Sequence, residues 1–511
     1  MNKSRQLRSI LASGGQSLPV CVLFALVVAA GLTGCSVPLT EHAPSSPDQP
    51  WRPAVVDLPG GSKNGYSLEQ GLPAVAALGQ LPDQDLVLPS HPLALPELID
   101  LAQRHNPHTR QAWNHARQAA LAVGLVEATF LPMLSANVIG GFQRTQQSLP
   151  LQVGGIRSFD TEINGVVPAL AVGWLLFDFG QRDALLEGAS QLSFAANVLF
   201  NAVHQKVIRD VTDQFYHYNT ARSRVDLARE SLGHNQTIEH AVNERLKAGV
   251  ATTLERALAR QAVAQARLYL VESEGLERNA WLGLLSALGL SPKTRIQIAT
   301  VQAGPLPASL APLTSERIGY ALTRRPDLVA GYAAMRAAQA NERAAEAEFM
   351  PKVYLGAVAA NSRLSFDVRG LPGLSQTTSS SGVLLGVTLP LFDGGLRQTR
   401  LRDARIRTEE ARQNLETRQR TALREIVAAE SLLQSALQST HAATELVATA
   451  ETAHDAALEA YRNGVGTLPM TLEATNGLLK ARQARSDARN ATLAAAANLA
   501  FVMGELTSTV K

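Results

Sequence analysis

Two groups of residues in this 511-residue chain could do chemistry, and they point in different directions. The first is Leu32-Thr33-Gly34-Cys35-Ser36, which follows a leader with Lys3, Arg5 and Arg8 and an apolar stretch from Leu18 to Ala30. A small residue before a cysteine at the end of a secretory leader resembles a lipobox, in which the thiol is acylated and Cys35 becomes the first mature residue. Ser36 rather than Asp in the next place favours sorting to an outer membrane. Cys21 lies in the discarded leader, so neither of the two cysteines is left for a disulfide or a metal site. The second group is His105, His108 and His115, of which 108 and 115 share a helical face. No carboxylate stands at a ligand spacing beside them, so they are expected at a surface or interface and no metal site is assigned. There is no Gly-rich phosphate loop, no His-Glu-x-x-His and no Gly-x-Ser-x-Gly, so no enzyme and no cofactor beyond the lipid on Cys35 is expected.

The whole chain has formal charge +3, and residues 1–34 hold three Lys/Arg and no acid, which leaves the rest neutral. Composition therefore gives no case for a nucleic-acid partner. Past the leader no apolar run reaches the ~18 residues of a spanning helix. A closed β-barrel is the other structure that pairs every backbone polar group inside a bilayer.

The elements that must carry such a barrel appear twice. Arg104-His105-Asn106-Pro107, Phe130-Leu131-Pro132, Phe177-Asp178-Phe179-Gly180 and Lys247-Ala248-Gly249-Val250 recur in order as Thr323-Arg324-Arg325-Pro326, Phe349-Met350-Pro351, Phe392-Asp393-Gly394-Gly395 and Arg462-Asn463-Gly464-Val465. Phe177 to Gly249 and Phe392 to Gly464 both span 72 residues. This divides the chain into a leader (1–34), a Pro-rich tether (35–96), a first repeat (97–290), a connector (291–315), a second repeat (316–505) and a tail (506–511).

Each repeat reads as helix, β-hairpin, long helix and short helix. Stretches 97–129 and 316–348 have helical composition and give way at Pro132 and Pro351. The hairpins are expected at Leu134 to Arg144 with Thr161 to Trp174, and at Val353 to Asn361 with Gly382 to Leu391. Leu134, Ala136, Val138 and Phe142 alternate with polar residues, and Val383, Leu385, Val387, Leu389 and Leu391 share one face, the pattern of a barrel strand. Asp178 and Asp393 are expected as N-caps, followed by long helices over 180–247 and 394–462. At 1.5 Å per residue these are about 100 Å long, several times a bilayer's hydrocarbon core, so they extend into water. Gly249 and Gly464 end them, and shorter helices return over 252–289 and 468–505. Stretch 252–289 with 316–348, and 468–505 with 97–129, each hold as many residues as one long helix, which suggests end-to-end stacking beside it. Four strands cannot close a barrel by themselves, so several copies must share one.

The doubled Phe-Asp-x-Gly and the turn Tyr461-Arg462-Asn463-Gly464-Val465-Gly466-Thr467 resemble the outer-membrane factors of the TolC/OprM type, in particular the NodT-like lipoproteins, over roughly residues 95–505. The resemblance implies an α+β membrane protein of TolC-like fold. It implies a homotrimer with a twelve-stranded outer-membrane β-barrel, four strands per chain, continuous with a periplasmic α-helical barrel. It also implies a periplasmic adaptor and an inner-membrane pump of the resistance-nodulation-division class as partners, and export of small molecules such as drugs, toxic compounds or metals. In that family the turns between long and short helices form the tip, where the channel narrows and the adaptor docks. Here these are Gly249–Arg256 and Gly464–Thr471. Many relatives carry an acid a few residues past the glycine, and a ring of such acids favours cations. Glu255 keeps the acid in the first repeat, but Met470, after Pro469, takes its place in the second. An apolar constriction from Leu468 and Met470 is the alternative there, alongside Gly466 in the turn itself.

Two rivals share parts of this pattern. A structural or adaptor-type coiled-coil lipoprotein would have the lipobox and paired helices but lack two repeated apolar hairpins. A type I secretion conduit would share the architecture and differ in cargo.

Overall fold

A computed structural model describes residues 91–153, 156–300, 305–307, 309–368 and 374–506. The leader, Cys35, nearly all of the tether and the last five residues lie outside the described residues. In chain order the elements are α1 (Leu95–His105), α2 (Pro107–Glu127), a 3-10 turn (Ala128–Phe130), β1 (Met133–Val153), β2 (Ile156–Phe177), α3 (Gln181–Lys247) and α4 (Thr253–Leu288). The second repeat follows with α5 (Ser315–Arg324), α6 (Pro326–Ala347), β3 (Lys352–Val368), β4 (Leu374–Thr388), α7 (Leu396–Arg462) and α8 (Leu468–Val502). The two long helices have 67 residues each. Among the described residues no helix is long and apolar enough to cross a membrane.

The strands form one antiparallel sheet in the order β1-β2-β3-β4, with β1 and β4 as open edges. Register puts Leu134 opposite Val172, Val172 opposite Ala357, and Ala357 opposite Val383, so the apolar faces of both hairpins coincide. The strands begin or run well past the expected bounds, because the ladder continues through Thr145, Gln146 and Ser148 in β1 and Ser375 to Ser381 in β4. These stretches are polar on both faces, so backbone pairing extends where period-two contrast stops. At its other end β4 stops at Thr388 and leaves out the expected Leu389 and Leu391, since Pro390 has no N–H for the ladder.

The stretches expected as single helices over 97–129 and 316–348 are each broken. Asn106 and Arg325 adopt extended backbone before Pro107 and Pro326, since a proline disfavours the helical region in its predecessor and has no N–H to give. The returning short helix ends against each break. The Asn106 amide donates to the Ala287 carbonyl at the end of α4 (2.9 Å), and Arg325 reaches the Val502 carbonyl at the end of α8 (3.4 Å). Gly289, at φ +72°, lies so close that a Cβ would sit 2.7 Å from the Asn106 Cα. End-to-end stacking therefore joins short helices of the same repeat, α1–α2 over α4 and α5–α6 over α8, and not the cross-repeat pairs expected, whose lengths match equally well.

Packing follows the same plan. Leu98 and Ala102 meet Val207, Val211 and Phe215 of α3 and Leu284, Leu285 and Leu288 of α4. In the second repeat Ala321 meets Ile426 and Ala429 of α7 and Val502 and Met503. Alanines dominate the remaining buried seam, which lets the helices approach closely. The connector wraps this waist: Leu93 and Ile298 form a parallel bridge, and the Leu313 N–H donates to Glu430 of α7 (2.7 Å).

Candidate functional site

Three regions of the fold gather most of the residues singled out in the sequence: the sheet, its joint to the long helices, and the far tip of those helices. On the sheet, Leu134, Val138, Phe142, Val166, Leu170, Val383, Leu385 and Val387 are exposed and share the outer face, a band suited to lipid. Trp174, Phe177, Phe179 and Phe392 gather exposed rings where the sheet meets the helices, as an interfacial girdle does.

The joint is where Phe177-Asp178-Phe179-Gly180 and Phe392-Asp393-Gly394-Gly395 lie. The chain turns through two successive left-handed residues, Phe179 (φ +57°) and Gly180 (+86°), then Gly394 (+66°) and Gly395 (+90°). Gly180 and Gly395, not the aspartates, occupy the N-cap positions. The aspartates still cap from two residues further out. Asp178 Oδ2 accepts from the Arg182 backbone N–H (3.1 Å) and Nε (2.7 Å), and Asp393 Oδ2 accepts from the Arg397 N–H (3.2 Å) and Nε (2.6 Å). Each guanidinium also lies over the ring that opens the hairpin, Phe130 at 4.6 Å and Phe349 at 5.1 Å. Arg182 further donates to the Thr129 carbonyl (2.9 Å). Sequence reasoning missed both arginines. The same self-comparison carried the signal, since each follows its aspartate by four residues, one helical turn.

At the other end both long helices close in the same way. Gly249 (φ +77°) and Gly464 (+76°) follow the caps, and Val250 N–H to Arg245 C=O (2.9 Å) and Val465 N–H to Ala460 C=O (3.0 Å) complete Schellman turns. Gly466 is required by space, because a Cβ there would stand 2.9 Å from the Tyr461 nitrogen. The turns then diverge. Glu255 is engaged locally in a capping box: it accepts from the Thr252 N–H (2.7 Å), and its own N–H donates to the Thr252 hydroxyl (3.1 Å). In the second repeat Pro469 stands in the first turn and no side chain caps the helix. Leu468 is fully buried against Ile238, Val242, Ala259 and Tyr461, so it cannot line an opening, whereas Met470 is 59% exposed. The expected apolar pair thus reduces to Met470 alone.

A polar link joins the two tips within the chain, beside the apolar contact of Leu468 with Ile238, Val242 and Ala259. Arg245 of α3 donates to the Tyr461 carbonyl at the end of α7 (2.9 Å) and lies 4.8 Å over its ring. Burial pushes the Tyr461 hydroxyl up from its ordinary value. Val250, Leu254, Val465 and Met470 leave an exposed apolar cap at this end. The histidines at 105, 108 and 115 fall on α1 and α2 at the waist, away from sheet and tip. Among the described residues no group of three or more His, Cys, Asp or Glu is placed to hold a metal ion.

A profile of the family described as outer membrane efflux protein matches residues 98–290 and 318–505. Protein CyaE of Bordetella pertussis is 31% identical over 76% of this chain and 80% of its own length. Cation efflux system protein CusC of Escherichia coli K12 is 26% identical over 76% of this chain and 82% of its own. A crystal structure of a membrane protein from Pseudomonas aeruginosa superposes with a TM-score of 0.68 at 26% identity, covering 80% of this chain and 93% of that one.

Proposed function

The chain belongs to the outer membrane efflux protein family, and on that premise we propose that it is the passive outer-membrane channel of a tripartite efflux system. The observation that carries this reading is a four-stranded sheet, open at both edges and more apolar on one face than on the other, continuous with two helices about 100 Å long. Three copies supply twelve strands, enough for a closed barrel with an aqueous lumen. The helices carry the same passage across the periplasm, and the lipid on Cys35 anchors the chain to the outer membrane.

The tips are the entrance. Their exposed apolar cap of Val250, Leu254, Val465 and Met470 is the docking surface for a periplasmic adaptor, which couples the channel to an inner-membrane pump of the resistance-nodulation-division class. The Arg245–Tyr461 link holds α3 to α7 where the entrance must widen, and adaptor docking acts by loosening it. The cargo is small molecules, including drugs, toxic compounds or metals, with selection left to the pump. No catalytic group is required.

The purified protein should run as a heat-labile trimer and conduct ions in a planar bilayer, and Arg245→Ala should raise the conductance. A monomer released from membranes once the lipid is removed would overturn the channel. A deletion strain should lose resistance to at least one toxic compound.

A further inference from the structure

We propose that His234 of α3 and His454 of α7 bind one divalent transition-metal cation, bridging the two long helices. Their rings meet edge to face, with centroids 5.9 Å apart and planes at 85°. Metal–nitrogen bonds of about 2.0–2.1 Å place the centres of two imidazoles on a shared ion about 5–6 Å apart, so the separation fits, and a turn of the face-presenting ring about its side-chain torsions brings both nitrogens onto one ion. Imidazole nitrogen selects zinc, nickel or copper over magnesium or calcium.

Each ring has a carboxylate beside one nitrogen. His454 Nδ1 is 3.2 Å from Asp455 Oδ1, and His234 Nε2 is 3.5 Å from Glu230 Oε1. A histidine that donates one ring N–H to a carboxylate offers the lone pair of the other nitrogen as a ligand, here Nε2 of His454, and the Glu230 charge near His234 Nε2 favours a proton there and leaves Nδ1 of that ring for the ion. Both rings line the same cleft between α3, α7 and α8, which is open to solvent on one side. Water can reach the remaining positions from that side. Charge also favours a dication. Arg482 spans Glu230 (2.6 Å) and Glu451 (3.0 Å), and the Asp455 carboxylate beside His454 adds a further negative charge. With only two protein ligands the site is open and exchangeable, unlike a closed structural centre. His454 is 6% exposed while the His234 side chain is 44% exposed, so the ion enters past His234.

His234 stands 13 residues before the end of α3 and so lies about 20 Å above the tip, on the same pair of helices that Arg245 ties. A bound ion adds a second tie between them, whether or not the assembly conducts.

The test uses the untagged, chelator-stripped full-length protein in detergent, titrated with zinc chloride by calorimetry. One zinc per chain is expected. Binding should weaken by about tenfold or more in His454→Gln and in His234→Gln, and about tenfold in Asp455→Asn, whose carboxylate only orients a ligand. Zinc should also raise the thermal midpoint of the parent and not of His234→Gln. If His454→Gln fails to form the heat-labile trimer, His234→Gln decides alone, since that ring is half exposed. Parent-like zinc stoichiometry and affinity in the His234→Gln/His454→Gln double variant would overturn the site. So would loss of zinc binding in neither single variant. Conduction enters none of these readouts, so failure of the site and failure of the channel reading are separable.

Discussion

In the first repeat the joint between sheet and shaft is sealed, and in the second it is partly open. Asp178 and Arg182 have side-chain exposures of 6% and 10%, against 25% and 11% for Asp393 and Arg397. The same pair of residues, the same turn of helix and the same stacked ring thus sit in different dielectric surroundings. The difference lies around the pair: Arg182 finds the Thr129 carbonyl as a further acceptor, Asp393 accepts from the Gly395 N–H, and the ring of Phe179 beside the first pair is replaced by Gly394 beside the second. A repeat preserves geometry more faithfully than it preserves environment, so equivalent substitutions should not have equal effects.

The largest expected difference is at this pair. Asp178→Ala removes the paired carboxylate from a guanidinium that is nine-tenths buried, and an uncompensated buried charge costs about 3–5 kcal/mol, at the low end here because carbonyl partners remain. Asp393→Ala should cost less, because its carboxylate is already one-quarter exposed and its removal opens a path for water to the Arg397 guanidinium. Denaturant unfolding of the two variants side by side checks this, and equal losses would remove the environmental distinction.

The waist offers the next contrast. Asn106 makes two neutral hydrogen bonds, donating to the Ala287 carbonyl of α4 and accepting from the His108 N–H at the start of α2, whereas Arg325 carries Asp327 (2.8 Å), Glu425 (2.7 Å) and the Val502 carbonyl. Hydrogen bonds to charged groups contribute about 1.5–3 kcal/mol and neutral ones about 1 kcal/mol. Arg325→Ala should therefore destabilise about twice as much as Asn106→Ala in thermal unfolding. Restoring only bulk, as Arg325→Met, should recover little of the loss.

The tips can be exchanged. Gly466 corresponds to Ala251 of the first tip, which carries a Cβ in the same place of its turn. At Gly466 the Tyr461 nitrogen and the Ala460 carbonyl carbon stand 2.9 Å and 3.0 Å from where a Cβ would go. Gly466→Ala should cost about 1–2 kcal/mol through displacement of the turn. Ala251→Gly should cost only about 0.5 kcal/mol, through the added freedom of the unfolded chain. Because Tyr461 is the partner of Arg245, Gly466→Ala should also raise single-channel conductance, which Ala251→Gly should leave unchanged.

Much of this was legible in the chain. The turn glycines, the hairpin faces and the long helices announce themselves through residues whose backbone demands or period leave few choices. What stayed hidden shares one cause, that local pattern does not report three-dimensional neighbours. Pro107 and Pro326 are as acceptable at a helix start as at a break, so a continuous helix and a broken one look alike. Equal lengths could not say which short helices stack. Leu468 and Met470 are both apolar, and only packing sends one into the core and the other to the surface. The polar upper strands have no alternation to read, and His234 and His454 are brought together from different repeats.

The smallest expected effect tests the joint from the side of pH. Hydrogen bonds from Arg397, first its guanidinium and then its backbone N–H together with that of Gly395, hold the Asp393 carboxyl below its ordinary value. Its folded state therefore binds protons more weakly than the unfolded chain does. Stability from this group is fully present above the usual carboxylate range near 4 and is lost as pH falls through the lower folded value. Asp393 lies beyond the last residue of β4 and is one-quarter exposed, so solvent and salt screen it and the contribution stays modest. The parent should thus lose slightly more stability between pH 5 and 3 than Asp393→Asn does, as unfolding at a series of pH values and low salt would show. An Asn variant that keeps the parent's full acid slope would mean that the second joint is not held by this charge. The comparison between the joints would then rest on the first aspartate alone.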